Sequence, residues 1–296
     1  MRKLLIVAMV FSTIFASDSF ISTAQGADEV QGRKVDIAGR QRMLTQRMAK
    51  AACFIGSYSE VDKHHAMLID ASKLFDDSLK TLTNGNPSLN IPAETEPSIL
   101  AELENVKPYW HMLDFATRIL IESPETPGLD VNMIEQFNLP ALKQSNAVVQ
   151  TMERAYYKGT KSTGSVRAIN VAGRQRMLSQ KAAKEFCFIS YGLDVEKNRQ
   201  ALKKTIQDFD IALDDLRNGD SIKNIPPAPT INIRYALTQL KSDWQSPRGI
   251  YLAIANGVQA HDAEFSTISK SNDQMLKQSN EIVGMMVNYY KNMETR

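Results

Sequence analysis

The chain carries one segment twice, and that repetition limits its architecture more than any other feature. Ala38-Gly39-Arg40-Gln41-Arg42-Met43-Leu44 is followed by Gln46, Ala49, Lys50 and Cys53-Phe54-Ile55. It returns 134 residues later as Ala172-Gly173-Arg174-Gln175-Arg176-Met177-Leu178, then Gln180, Ala183, Lys184 and Cys187-Phe188-Ile189. Thirteen of the 20 positions from Asp36 to Ile55 are identical. The same offset aligns Phe75-Asp76 with Phe209-Asp210, Asn84-Gly85 with Asn218-Gly219, and Ile91-Pro92 with Ile225-Pro226. It also pairs the only two tryptophans, Trp110 and Trp244, and the runs Leu142–Asn146 and Leu276–Asn280. A period this long is a tandem domain duplication, not a solenoid of roughly 20–50-residue units. Each copy has the usual size of a domain, about 100–150 residues, and is large enough to bury its own core.

Each copy reads as four amphipathic helical stretches. In copy one they span 35–59, 61–83, 96–122 and 131–158, and in copy two 166–193, 195–218, 232–256 and 262–293. The breaks carry turn chemistry: Asn84-Gly85-Asn86-Pro87, Ser123-Pro124 to Gly128, Asn218-Gly219-Asp220 and Pro226-Pro227-Ala228-Pro229. No run alternates with a β-period. Four antiparallel helices on short loops predict an up-down bundle, so the fold class is all-α, two tandem four-helix bundles. Pro108, Pro140 and Pro247 predict kinks or late helix starts. Gly159 to Ser165 reads as the linker, short enough to hold the bundles close, or alternatively as a bent helical junction. The expected boundaries are a leader over 1–26, copy one over 27–160 and copy two over 161–296.

Arg2-Lys3 precedes the apolar run Leu4 to Ala16, and Ala24-Gln25-Gly26 places small residues where a signal peptidase reads. The run is short against the roughly 20 residues of a spanning helix. A secretory signal peptide cleaved before Ala27 is expected, with the mature chain in a bacterial periplasm and without a membrane span. Without its first 26 residues the chain holds 33 basic and 32 acidic residues. That balance gives no reason to expect a nucleic-acid partner. Cys53 and Cys187 are the only cysteines and occupy equivalent positions. An oxidising compartment permits a disulfide between them, and the alternative is two buried free thiols.

At 100° per residue, Ile37, Leu44, Met48, Ala51 and Ile55 gather on one side of the first helix as a core stripe. Gly39, Arg42, Gln46, Lys50 and Cys53 gather on the opposite side. Copy two repeats the division, with Gly173, Arg176, Gln180, Lys184 and Cys187 opposite its core stripe. Glycine permits close backbone approach, so this face suits a second helix–helix contact. Two first helices packed by these faces about a pseudo-dyad would place Arg42 near Arg176 and Cys53 near Cys187. Paired arginines repel unless an anion lies between them, and the guanidinium fork suits a planar oxyanion or phosphate. The plainer alternative has both arginines facing solvent or paired with Asp76, Asp77, Asp210 or Asp214.

The stretch from Asp36 to Lys50, and its twin from Asn170 to Lys184, resembles the signature first helix of PilJ-type sensor domains. These are the periplasmic N-terminal domains of type IV pili chemotaxis transducers. The pattern is also similar to the conserved box of nitrate/nitrite sensor kinases. The resemblance implies a four-helix bundle that senses small ligands. In the nitrate sensors an anion binds at the dimer interface between equivalent arginines, which match Arg42 and Arg176 here. Gln41 and Gln175 follow the pilus-transducer version, whose ligand the resemblance does not define. Receptors of this kind continue into a membrane helix and cytoplasmic modules. The given sequence contains neither, so a membrane partner is expected to read the signal.

Catalysis finds no support in the residues. His64, His65, His111 and His261 lack metal-ligand spacing, and none recurs in the other copy. Phosphate loops, nucleophile elbows and haem-attachment motifs do not occur. Asp76-Asp77 and Asp214-Asp215 read as solvated faces, the methionines as core, and Trp110 and Trp244 as core anchors. The expected function is non-enzymatic ligand binding and sensing without cofactor or metal. A small anion would lie between Arg42 and Arg176, with Gln46, Gln180, Lys50 and Lys184 as secondary donors beside Gly39 and Gly173. The alternative is a structural or adaptor protein whose repeated face docks a partner helix.

Overall fold

The computed structural model describes residues 18–125, 128–156 and 163–294. Among these, eight α-helices follow in order: α1 Asp18–Gly56, α2 Val61–Asn84, α3 Pro97–Glu122, α4 Leu129–Tyr156, α5 Thr163–Tyr191, α6 Val195–Asn218, α7 Ile231–Ala255 and α8 Asp262–Glu294. Helices α1 to α4 form a ring in which each packs on its chain neighbour and α4 returns to α1, and α5 to α8 repeat it. The two rings meet along α1 and α5. The fold is therefore all-α, with duplicated four-helix bundles.

The outer helices follow the ordinary one-sided pattern. Met67, Leu68, Ala71, Phe75, Leu79 and Leu82 of α2 recur at helical spacing and are buried, while the intervening polar positions face out. The central helices do not. In α1 the core stripe of Leu44, Met48, Ala51 and Ile55 is buried, and so is the opposite face of Arg42, Gln46, Lys50 and Cys53. A helix enclosed on both sides loses its amphipathic signature, which is why its polar positions need internal partners. The apolar core runs continuously through this seam. Phe54 of α1 lies 5.3 Å from Phe265 of α8 between ring centroids, and Phe265 lies 5.0 Å from Phe186 of α5.

Equivalent anchors hold the two rings. Trp110 and Trp244 are buried, each with its ring centroid 4.3 Å from Phe75 or Phe209. Their indole N–H groups donate to Asp76 at 3.4 Å and Asp210 at 2.7 Å. Asp76 is thus more than part of a solvated face. The loops repeat as well: isolated bridges join Asn86 to Ile91 and Asp220 to Ile225. Gly85 and Gly219 enter these loops at φ 79° and 82°. A Cβ on Gly85 would stand 2.5 Å from the Ala93 backbone nitrogen, so only glycine fits.

One sequence expectation shifts. The first helix extends N-terminally to Asp18 rather than starting at Val35. Pro108, Pro140 and Pro247 lie inside α3, α4 and α7, within the helical stretches read from the sequence. The signal-peptide expectation lies largely outside the described residues, and the backbone from 18 to 26 is continuous with α1. Most of the expected linker also lies outside them, and α5 starts at Thr163.

Candidate functional site

Helices α1 and α5 run side by side with equivalent residues at the same height. Cys53 and Cys187 form a disulfide, their Cα atoms 6.0 Å apart. Roughly three turns toward the helix N-termini, Arg42 and Arg176 are both buried in the same seam. A Cβ built on Gly39 would lie 3.4 Å from Nη2 of Arg42 and 3.9 Å from Nη2 of Arg176, so the guanidiniums converge over this glycine. A Cβ on Gly173 would lie 3.1 Å from Arg176 Nη2. These glycines leave room for guanidinium groups, a use the sequence reading assigned to close helix approach.

The arginines exchange partners across the seam. Arg42 Nη2 donates to Asn170 Oδ1 of the second copy at 2.7 Å. Arg176 Nη2 donates to Asp36 Oδ1 of the first copy at 2.8 Å. Positions 36 and 170 are equivalent in the repeat. Each arginine also reaches the fourth helix of its own ring, Arg42 to Asn146 at 3.0 Å and Arg176 to Asn280 at 3.5 Å. The acids suggested as plain partners are not these: Asp76 pairs with Lys80, Asp210 with Arg248 and Asp214 with Lys241.

Burial pushes Arg42 down to about 10, with Glu153 opposing and Arg176 and Arg174 assisting. Burial would raise Asp36, but Arg176 and Arg40 outweigh it and hold the carboxyl below its usual range. Glu153 of α4 moves the other way. Burial raises it despite Arg42 and Arg167, and its Oε1 accepts no hydrogen bond.

A second polar layer lies about 12 Å further along α1, eight residues at 1.5 Å each. Lys50 Nζ donates to Asn272 of α8 at 2.7 Å, and Lys184 Nζ donates to Asn138 of α4 at 3.1 Å. Each lysine thus crosses to the other ring, and Asn138 and Asn272 are again equivalent positions. Burial pushes Lys50 down to about 7 and Lys184 to about 8. Gln46 Nε2 donates to Thr45 Oγ1 at 3.1 Å and to the Asn138 carbonyl at 3.4 Å, while Gln180 Nε2 reaches Ser179 Oγ at 3.5 Å. The glutamines and lysines therefore form a layer engaged with Asn138, Asn272 and neighbouring hydroxyls, and share no hydrogen-bond partner with the guanidinium groups.

Five residues of this seam were not among the expected site residues: Asn138, Asn272, Asp36, Asn170 and Glu153. Asn138 and Asn272 repeat at the common offset and were legible by the same alignment that found the arginines. Asp36 and Asn170 stood at the head of the motif, but their difference was the signal and identity was the criterion. Glu153 has Val287 as its counterpart, so no repeat points to it. Among the described residues, no group of three or more His, Cys, Asp and Glu is placed to hold a metal ion. No helix among them is long and apolar enough to cross a membrane.

No curated protein matches the chain significantly. A family match covers most of it, in two copies at residues 29–134 and 159–264, one on each side of the α1–α5 seam. That family has a sensory, signalling role and is not an enzyme family. Two tandem matches, on a duplicated four-helix architecture, establish that the chain belongs to the PilJ family, described as the type IV pili methyl-accepting chemotaxis transducer N-terminal domain.

Proposed function

We propose that the chain is a periplasmic, non-enzymatic sensory module that binds a small anion between its two first helices and relays the event to a membrane partner. The observation that carries this reading is the convergence of two buried guanidiniums, from equivalent positions of α1 and α5, over Gly39. Two buried guanidiniums that converge concentrate positive charge in the seam, which favours an anion there, and the guanidinium fork suits a planar oxyanion. The duplication supplies within one chain the paired helices that a homodimer would otherwise provide. Gln46, Gln180, Lys50 and Lys184 form the layer that couples the rings, so a shift of α1 against α5 reaches α4 and α8.

Calorimetry with nitrate, formate and phosphate on the wild type and on Arg42→Ala/Arg176→Ala tests the proposal. At least one anion is expected to raise the melting temperature of the wild type and not of the double variant. Should none of the three do so, the anion reading fails.

An adaptor role is a second reading, and a different face favours it. The repeated Gly/Gln/Cys face is taken up by contact between the copies. Helix α3, however, exposes Tyr109, Met112, Phe115 and Ile119 at helical spacing. The second copy has Asp243, Ser246, Gly249 and Ala253 there. Loss of membrane-fraction binding in Met112→Lys/Phe115→Lys, with anion binding intact, would support it.

A further inference from the structure

The pseudo-symmetry of the seam is broken where it meets the arginines. Arg176 is held by a carboxylate, Asp36, at 2.8 Å. Arg42 is held by a neutral amide, Asn170, at the equivalent place. Among the described residues its other hydrogen-bond partners are Asn146 Oδ1 and the Gly39 carbonyl, both uncharged. The two arms therefore differ in charge although their geometry is nearly the same.

We propose that Asp36 is a resident anion of this site and sets its specificity: it fills the Arg176 arm, so that a chain takes one free planar oxyanion, at Arg42 against Asn170. The inference rests on the anion reading above. An incoming anion at Arg176 must displace a carboxylate in a charge-assisted bond, the strong class of hydrogen bond. At Arg42 it replaces only an amide oxygen, which carries no counter-charge and cannot take both N–H groups of the fork as a carboxylate can. The field also favours the Arg42 arm. Arg176 and Arg174 both act on Arg42 as like charges that an anion would relieve. Two acids act on Arg42, Glu153 and Asp36, and Asp36 is already paired with Arg176 and Arg40. Glu153 makes no ion pair with Arg42 among the described residues; it is hydrogen-bonded to Asn170, and burial raises its carboxyl above the usual range. Arg40 lies against Asp36 from the same helix at 3.2 Å, which further fixes that carboxylate in place.

The asymmetry also supplies a mild substitution. Asp36→Asn writes into copy one the residue that copy two already carries at position 170, with nearly the same shape. Titration calorimetry with formate and nitrate, in an otherwise anion-poor buffer, is the test. The wild type is expected to bind one anion per chain. Arg42→Gln should abolish that binding, and Arg176→Gln should leave it within about threefold. Asp36→Asn should tighten binding at least tenfold or add a second anion per chain. Equal losses in the two arginine variants, with both folded by circular dichroism, would overturn the proposal. So would an Asp36→Asn variant that binds like the wild type, and in either case the anion reading itself would stand. If neither the wild type nor Asp36→Asn binds either anion, both readings fall together.

Discussion

Lys50 of the first repeat gives its ammonium to Asn272 of the second, 222 residues away, across a seam where the lysine is wholly buried. Lys184 mirrors it toward Asn138. An amide oxygen satisfies one of the three ammonium donors and supplies no counter-charge. The nearest carboxylate to Lys50 is Asp273 at 3.9 Å, already engaged by Lys63 at 2.8 Å. The layer holds two lysines near the limit of what burial permits for a charged group.

A pH dependence follows, with a definite sign. Burial lowers Lys50 to about 7 and Lys184 to about 8 in the folded chain, below the ordinary lysine value of 10.5. Between these values the unfolded state binds more protons than the folded one, so stability rises with pH. The penalty is fully present below about pH 7 and is relieved as pH rises toward 10. Charged neighbours act on both sites: Asp273, Arg47, Lys63 and Glu60 around Lys50, and Glu185, Lys181, Glu135 and Lys197 around Lys184. The urea midpoint should rise from pH 7 to pH 9. Lys50→Met/Lys184→Met should be more stable than the wild type at pH 7 and should flatten the slope. A wild-type midpoint that falls over that window contradicts the assignment.

The duplicated architecture was legible because core positions, loop glycines and tryptophans recur at one offset. Helical geometry put Arg42 and Arg176 on a repeated face opposite the core stripe, and their meeting was the outcome expected if the two first helices packed by that face. What identity could not reveal is exchange between copies. An alignment pairs Lys50 with Lys184, whereas the structure pairs each with an asparagine of the other ring. Asp36 was illegible for the opposite reason. Its meaning lies in differing from Asn170, and a repeat read for identity discards differences. Helix length was also misjudged at α1, because the polar stretch before Val35 holds no proline to stop a helix.

The disulfide closes a loop of 134 residues and joins the two rings where their core is continuous. In the chain-entropy account a loop of this length restricts the unfolded state by roughly 5 kcal/mol. Cys53→Ala/Cys187→Ala should therefore lose about 2–5 kcal/mol by urea denaturation yet keep its helical content, because apolar packing at Phe54, Phe186 and Phe265 remains. Reduction of the wild type with dithiothreitol under denaturing conditions should reproduce the loss. An unchanged midpoint in both cases would mean that the cross-link does not stabilise the fold.

The turn after α1 offers a test that needs no ligand. Tyr58 occupies the left-handed region at φ 54°, and its equivalent after α5 is Gly192 at φ 88°. Both donate their backbone N–H into the end of the preceding helix, Tyr58 to Ile55 at 2.9 Å and Gly192 to Ile189 at 3.2 Å. The motif is the same, but only one copy has the residue suited to it. A side chain in this conformation costs about 1–2 kcal/mol, while glycine costs about 0.5–1 kcal/mol through the freedom of the unfolded chain. The Tyr58 side chain is 71% exposed, so little packing offsets the difference. Tyr58→Gly should stabilise the chain by about 0.5–1 kcal/mol, and Gly192→Ala should destabilise it by a similar amount. Paired urea titrations would measure both, and a Tyr58→Gly variant less stable than the wild type would show that Tyr58 makes a contact outweighing its backbone cost.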